Sequence, residues 1–120
     1  MCIRDRVNLF LEKCLTTEFN LACEEKLLPI TNECIKLFCE SNTLGLFEAF
    51  KSLSAFQKKY FDPMIPPLFK DLWEKGLKSD DFYLKLCGAG GGGFLLGVTK
   101  DFSKVESALS NYEIRTVCRL

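Results

Sequence analysis

Between two apolar segments of this chain stands the run Gly88-Ala89-Gly90-Gly91-Gly92-Gly93, which holds most of the chain's eight glycines. The flanking segments, Tyr83–Cys87 and Phe94–Val98, both have the composition of buried β-strands. Glycine is favoured where the backbone takes a positive φ or passes close to another group. The run therefore predicts a loop whose bare N–H groups bind an anion such as phosphate or pack against another loop.

A mobile hairpin is the alternative explanation for this run, because glycine is also the usual turn residue. A hairpin needs only one or two glycines, and each glycine costs about 0.5–1 kcal/mol of backbone entropy relative to alanine. At this point both interpretations stay open.

Three familiar glycine motifs do not fit this run. The spacing Gly88-x-Gly90-x-x-Gly93 matches the dinucleotide fingerprint, but that fingerprint must open a helix. A Walker A loop needs Gly-Lys-Ser/Thr at its end, where this chain has Phe94-Leu95. Protein kinases place such glycines between strands, but they also need a His-Arg-Asp loop, and this chain has no histidine.

One family fits both the residues and their context. The segment Lys85–Phe94, which reads Lys-Leu-Cys-Gly-Ala-Gly-Gly-Gly-Gly-Phe, resembles the third signature motif of the GHMP small-molecule kinases. This family includes galactokinase, homoserine kinase, mevalonate kinase and phosphomevalonate kinase. The amphipathic segment Met64–Leu77 is similar to the helix before this motif in the mevalonate-kinase-like branch, and Leu9–Lys13 is compatible with that branch.

The resemblance implies ATP-dependent phosphorylation of a small-molecule hydroxyl, with mevalonate of isoprenoid biosynthesis as the substrate and ATP and Mg²⁺ as cofactors. It places a substrate- and phosphate-binding loop over the cleft, with Ala89 and Gly90 nearest the transferred phosphate. That loop consists of Gly88, Ala89, Gly90, Gly91, Gly92 and Gly93. Cys87 stands where relatives often have Thr or Ser, so this position lacks their hydroxyl.

The family's main phosphate loop, Mg²⁺ site and catalytic Asp/Lys pair belong to an N-terminal domain. The Pro-x-x-x-Gly-Leu-Gly-Ser-Ser-Ala motif of that domain is absent from this chain. We therefore assign no catalytic residue and no metal ligand here, and we expect the chain alone to be inactive. The alternative is a free-standing module that uses the glycine loop to bind an anion or a partner's loop without catalysis.

The composition narrows the possible partners. With 120 residues and zero net charge, the chain predicts one domain that binds neither nucleic acid nor an anionic membrane. Its apolar runs are too short to span a bilayer, and it has no signal-peptide pattern, which favours the cytoplasm. The seven cysteines form no Cys-x-x-Cys pair, and we interpret them as small hydrophobic residues in a reducing compartment. A homodimer is also compatible with the sequence.

The hydrophobic periodicity predicts four helices followed by strand, loop, strand, helix and strand. Residues 1–6 match neither the pattern nor the family, and we expect an artefact or disorder there, with residues 7–120 forming a truncated GHMP kinase C-terminal domain. The expected elements are helices at 7–15, at 18–40 with a kink at Pro29, around Leu46–Tyr60 and from Pro66 to Gly76, strands at 82–87 and 94–98, a helix opened by the capping box Ser103-x-x-Glu106, and a strand at 113–119.

The fold class is therefore α+β, with helices packed on one face of a small antiparallel sheet. By resemblance the domain is ferredoxin-like and lacks its first strand, which would arrive from upstream sequence. Three other features have structural explanations. We interpret Lys85 as a strand lysine facing solvent, Asp80-Asp81 as a polar turn rather than a metal pair, and Trp73 as part of the helix–sheet core.

Overall fold

The computed structural model describes residues 3–88 and 94–120. The α+β architecture predicted from the sequence is confirmed, with helices packed on a small antiparallel sheet. In chain order the elements are α1 (Ile3–Cys14), α2 (Thr17–Ala22), a π-helical turn (Cys23–Leu27), α3 (Leu28–Cys39), α4 (Thr43–Tyr60), a 3₁₀ turn (Asp62–Met64), α5 (Pro67–Ser79), β1 (Phe82–Leu86), β2 (Leu95–Thr99) and α6 (Phe102–Ala108).

A short polar residue caps the start of the second helix. α1 starts at Ile3, four residues before the predicted start, and the boundary proposed between residues 6 and 7 stays a prediction. Thr16 caps α2, because its hydroxyl accepts a hydrogen bond from the N–H of Phe19 at 3.4 Å. The Phe19 ring packs edge to face against both Phe10 and Phe61, and these contacts join α1 and α2 to the end of α4.

Proline interrupts the long helical stripe that the sequence predicts over residues 18–40. Pro29 lies in the first turn of α3, and the turn immediately before it widens into a π-helix. Because proline has no N–H to donate to the carbonyl four residues earlier, the ordinary α-helical ladder cannot run through this point. The prediction that Pro29 kinks or splits the helix thus corresponds to a change of helix type at Cys23–Leu27.

α4 is the central helix of the domain. Asn42 caps it by accepting a hydrogen bond from the N–H of Gly45 at 2.9 Å. Its buried face is lined mainly by apolar side chains at helical spacing, which are Leu46, Phe47, Phe50, Leu53 and Phe56. This face contacts α3, α5 and β1, so α4 joins the N-terminal helices to the sheet.

α5 starts at Pro67, one residue after the predicted Pro66, and it runs through Gly76, where the sequence predicts that it ends or weakens. The helix continues to Ser79, and Asp80 closes it in a left-handed conformation with φ of 57°. Gly76 is required for packing instead. A Cβ atom there would lie 2.5 Å from the carbonyl oxygen of Phe82 and 2.6 Å from its ring, so only glycine lets α5 and β1 approach this closely.

β1 and β2 form an antiparallel pair in which Phe82 faces Thr99 and Leu86 faces Leu95. One face of β1 presents Phe82, Leu84 and Leu86 to a core that contains Trp73, which is only 1% exposed, and Val105 of α6. On the opposite face the Tyr83 ring packs against Phe47, 4.6 Å between centroids. The predicted place of Trp73 in the helix–sheet core is confirmed.

Two sequence predictions near the C-terminus are wrong. Residues 113–119 form no strand, although Ile114 packs partly against the core. Alternation of apolar and polar residues does not create a strand without a neighbour to pair with, and the described residues offer this segment none. Ser103 is also not the cap of α6. Asp101 is, because its carboxylate accepts hydrogen bonds from both the N–H and the hydroxyl of Ser103.

The contact at Gly76 gives a direct test of this packing. We expect Gly76→Ala to lower the free energy of unfolding by about 3 kcal/mol, because the added methyl group must push α5 away from the backbone of β1. Urea unfolding followed by the fluorescence of Trp73, the chain's single tryptophan, measures this loss.

The matched control is Gly45→Ala in the first turn of α4. Its new methyl group would meet only side-chain atoms of Asn42 and Leu37 at 3.0 Å, which can shift. The gain in helix propensity offsets that contact, so we expect a change within about 1 kcal/mol. Equal losses in the two variants would contradict the specific contact between Gly76 and Phe82.

Candidate active-site loop

The glycine-rich segment starts and ends on the antiparallel pair. β1 leads into it through Cys87 and Gly88, and Phe94, whose side chain is 80% exposed, leads out of it into β2. Gly88 has a φ of 62°, the left-handed conformation that glycine adopts without strain. The other residues singled out by the sequence, Ala89, Gly90, Gly91, Gly92 and Gly93, lie outside the described residues.

A buried hydrogen bond from α4 fixes the end of β1 that enters the loop. The N–H of Leu86 donates to the Oε1 atom of Gln57 at 2.8 Å. Both residues are buried, so this bond satisfies a backbone donor that would otherwise lose its hydrogen bond to water. The end of β1 that leads into the loop is therefore held by two elements, because it pairs with β2 and accepts support from α4 through Gln57.

Sequence reasoning missed Gln57, although a signal for it is present. Leu46, Phe50 and Leu53 follow a helical spacing of four and three, and Gln57 continues it. A polar residue within an apolar stripe is buried only with a hydrogen-bonding partner. Its partner lies 29 positions along the chain in β1, so only the folded structure identifies it.

Lys85 points its charge at the strand end rather than into open solvent. The side chain is half-buried, and its Nζ donates to the carbonyl oxygen of Leu86 at 2.7 Å. This contact gives Lys85 a structural role at the base of the loop, in line with the structural interpretation from the sequence, while its exposure is lower than that interpretation expected. Cys87, the next residue but one, is exposed with a free thiol.

Asp80 and Asp81 lie at the opposite end of β1 from the glycine segment. The Asp80 carboxylate binds the Lys51 ammonium at 2.8 Å and accepts a hydrogen bond from the Tyr83 hydroxyl, and these contacts lower the pKa of Asp80. Burial and the bond to Asp80 raise the pKa of Tyr83. Asp81 pairs with Lys104 of α6 at 3.4 Å. The interpretation of this pair as a polar turn is confirmed.

The cysteines among the described residues form no disulfide. Cys14, Cys23, Cys34, Cys39, Cys87 and Cys118 are all free thiols. Burial raises the pKa of Cys23 and Cys34, which keeps these two thiols protonated near neutral pH. Within residues 3–88 and 94–120, no three side chains of the metal-ligating types come together. In the same ranges no helix is both long and apolar enough to cross a membrane.

The described geometry thus places Cys87 and Gly88 after β1 and Phe94 before β2, with the end of β1 held by Gln57. Comparison with protein families agrees with this picture. The family described as "GHMP kinases C terminal" matches residues 34–115, from α3 to the segment after α6. The chain belongs to the GHMP kinase family, and the part that matches is the family's C-terminal domain. Comparison with curated proteins and with solved structures gave no match.

The bond between Leu86 and Gln57 yields a prediction for the base of the loop. We expect Gln57→Leu to lower the free energy of unfolding by about 1–3 kcal/mol, because the buried N–H of Leu86 loses its acceptor. The exchange of that amide proton with solvent, followed by NMR, should become faster.

The control for this change is Gln57→Glu, which keeps an oxygen acceptor at the same place in α4. In that variant we expect the Leu86 amide to stay protected from exchange, whatever the cost of burying the carboxyl group. If leucine and glutamate at position 57 gave the same exchange rate for Leu86, the hydrogen bond would not be what holds the strand end.

Proposed function

We propose that this chain is the C-terminal part of an ATP-dependent GHMP kinase that phosphorylates the hydroxyl of mevalonate. The observation that supports this most is the family match over residues 34–115, which includes the glycine-rich segment between β1 and β2. The mevalonate branch is supported by the resemblance of Met64–Leu77, a segment that forms most of α5, and by the compatible segment Leu9–Lys13.

In this proposal Gly88–Gly93 forms one wall of the phosphate-binding cleft. Transfer of a phosphoryl group depends on positioning and on stabilising the charge that spreads over the transferred oxygens. A run without side chains lets backbone N–H groups approach those oxygens closely, and each N–H supplies a partial positive charge. The fixed base at Leu86 and Gln57 supports this role, since a donor helps only when its position is held in advance.

The remaining parts of the catalytic machinery come from outside this chain. The described residues hold no cluster that fits Mg²⁺, so we assign the metal ligands and the catalytic Asp/Lys pair to an N-terminal domain of the kind found in the family. When bound there, Mg²⁺ would neutralise charge on the phosphates. The partners are then ATP and a small-molecule substrate, and the free thiols favour the reducing cytoplasm as the compartment.

The experiment starts from the genomic reading frame that contains this chain. We expect the frame to continue upstream into a Pro-x-x-x-Gly-Leu-Gly-Ser-Ser-Ala motif, and its full product to transfer phosphate from ATP to mevalonate. The 120-residue chain alone should give no turnover with ATP, Mg²⁺ and mevalonate. In the full product, Gly90→Val should lower kcat/KM by about 100-fold, because a branched side chain blocks the approach of phosphate to the loop.

Gly45→Ala in the same product is the matched control, because Gly45 lies in the first turn of α4 and we expect unchanged kinetics. Turnover by the isolated chain would contradict the assignment of catalytic groups to another domain. Phosphorylation of homoserine or galactose instead of mevalonate would keep the kinase and overturn the branch. Binding of phosphate by a chain whose upstream frame is closed would favour the alternative, an anion-binding module without catalysis.

A further inference from the structure

Both backbone groups of Leu86, the last residue of β1, are bound by side chains rather than by β2. The N–H donates to Gln57 of α4, and the carbonyl oxygen accepts a hydrogen bond from the Nζ atom of Lys85 at 2.7 Å. In an antiparallel pair every second residue directs both of its backbone groups away from the neighbouring strand, and Leu86 is such a residue. The Lys85 ammonium is therefore held at the end of β1 that leads into the glycine segment.

The positive charge of Lys85 has no partner of opposite sign. Every aspartate and glutamate of the chain lies in the described part of the structure, and none of them forms an ion pair with this ammonium. The other end of β1 differs, because Asp80 pairs with Lys51 at 2.8 Å and Asp81 pairs with Lys104 at 3.4 Å. The end of β1 beside the glycine segment thus carries a positive charge that the described residues do not neutralise.

The surroundings of Lys85 favour an anion as the missing partner. The side chain is half-buried, and a partly desolvated charge attracts an anion more strongly than a charge in open water does. Its ammonium has three N–H donors, and the Leu86 carbonyl takes one of them. Leu96, which faces Lys85 across the pair, has no acceptor in its side chain. Among the described residues no other acceptor binds this ammonium, so two donors remain for a ligand.

We propose that the Lys85 ammonium binds a phosphate oxygen of ATP in the full kinase. This inference rests on the proposed function, which places the phosphate groups at the segment that begins at Gly88. A lysine serves phosphate as a point charge, and its attraction reaches further than that of a backbone N–H group. The bond to the Leu86 carbonyl holds the side chain before ATP arrives, so less rotamer freedom is lost on binding.

Isothermal titration calorimetry of the full product with ATP and Mg²⁺ measures the contribution of Lys85. We expect Lys85→Gln to weaken ATP binding by about tenfold, because glutamine keeps an N–H donor for the Leu86 carbonyl but lacks the charge. Lys85→Met removes both the donor and the charge and should give the same loss. Lys85→Arg keeps the charge and should restore most of the affinity. A purely structural role would instead leave the glutamine variant close to the unchanged protein.

Two controls separate this contact from general effects of charge. Lys100→Gln removes the same charge from the opposite end of the same hairpin, just beyond β2, and should leave ATP binding unchanged. Adenosine has the base and sugar of ATP without the phosphates, so it should bind equally to the unchanged protein and to Lys85→Gln. Added salt should weaken ATP binding more in the unchanged protein than in Lys85→Gln, since it screens the charge that the variant lacks.

The possible outcomes distinguish this inference from the proposed function. ATP affinity that does not depend on Lys85, an equal loss in Lys100→Gln, or an equal loss for adenosine would each overturn the inference. A higher KM for mevalonate with unchanged ATP affinity would also overturn it, by assigning Lys85 to the carboxylate of the substrate. If the full product binds ATP through Lys85 but does not phosphorylate mevalonate, the inference stands and the proposed substrate fails. A full product that binds no ATP would overturn both.

Discussion

α5 can lie directly on β1 only because residue 76 has no side chain. The carbonyl oxygen and the ring of Phe82 fill the space where a Cβ atom would stand. This approach brings Trp73, one turn earlier on α5, against α4, where its indole N–H donates to the carbonyl oxygen of Ser54 at 3.2 Å. Asp62 also links the two helices, because its carboxylate binds Lys58 of α4 at 2.6 Å and Lys70 of α5 at 2.9 Å. The position of β1 between α4 and α5 follows from these contacts.

From that position the two edges of the sheet acquire different roles. The edge of β1 is closed by Gln57, which fixes the last residue before the glycine segment, while the edge of β2 stays open in the described structure. The proposed phosphate-binding role uses the fixed end of β1. That role therefore depends on the bond between Leu86 and Gln57.

Much of the fold follows from local sequence signals. The helix around Leu46–Tyr60 and the strand at 82–87 each depend on neighbours a few positions away, and each was predicted correctly. The role of Gly76 was not, because its reason is the backbone of Phe82 in another element. The strand predicted at 113–119 failed for a related reason, since the pattern was present but a pairing partner was not.

The candidate site, too, could be predicted from the sequence only in part. The glycine run between two strands indicated a family that the match over residues 34–115 confirms, and its context alone excluded the dinucleotide and Walker A motifs. The hydrogen-bonding partner of Gln57 and the contact of Lys85 with the Leu86 carbonyl could not be predicted, because both depend on where the end of β1 lies in three dimensions. The sequence thus indicates which loop matters, and the structure shows what holds it.

Selective ¹⁵N-glycine labelling of the full product tests the central claim most directly, because this chain contributes only eight glycine signals. Addition of ATP and Mg²⁺ should shift the amide signals of Gly88 and Gly90–Gly93 and leave those of Gly45 and Gly76 in place. The isolated chain should show no such shifts at the same nucleotide concentration. Unchanged signals from Gly88 and Gly90–Gly93 in the full product, with shifts at Gly45 or Gly76 instead, would contradict a nucleotide-binding role for this loop.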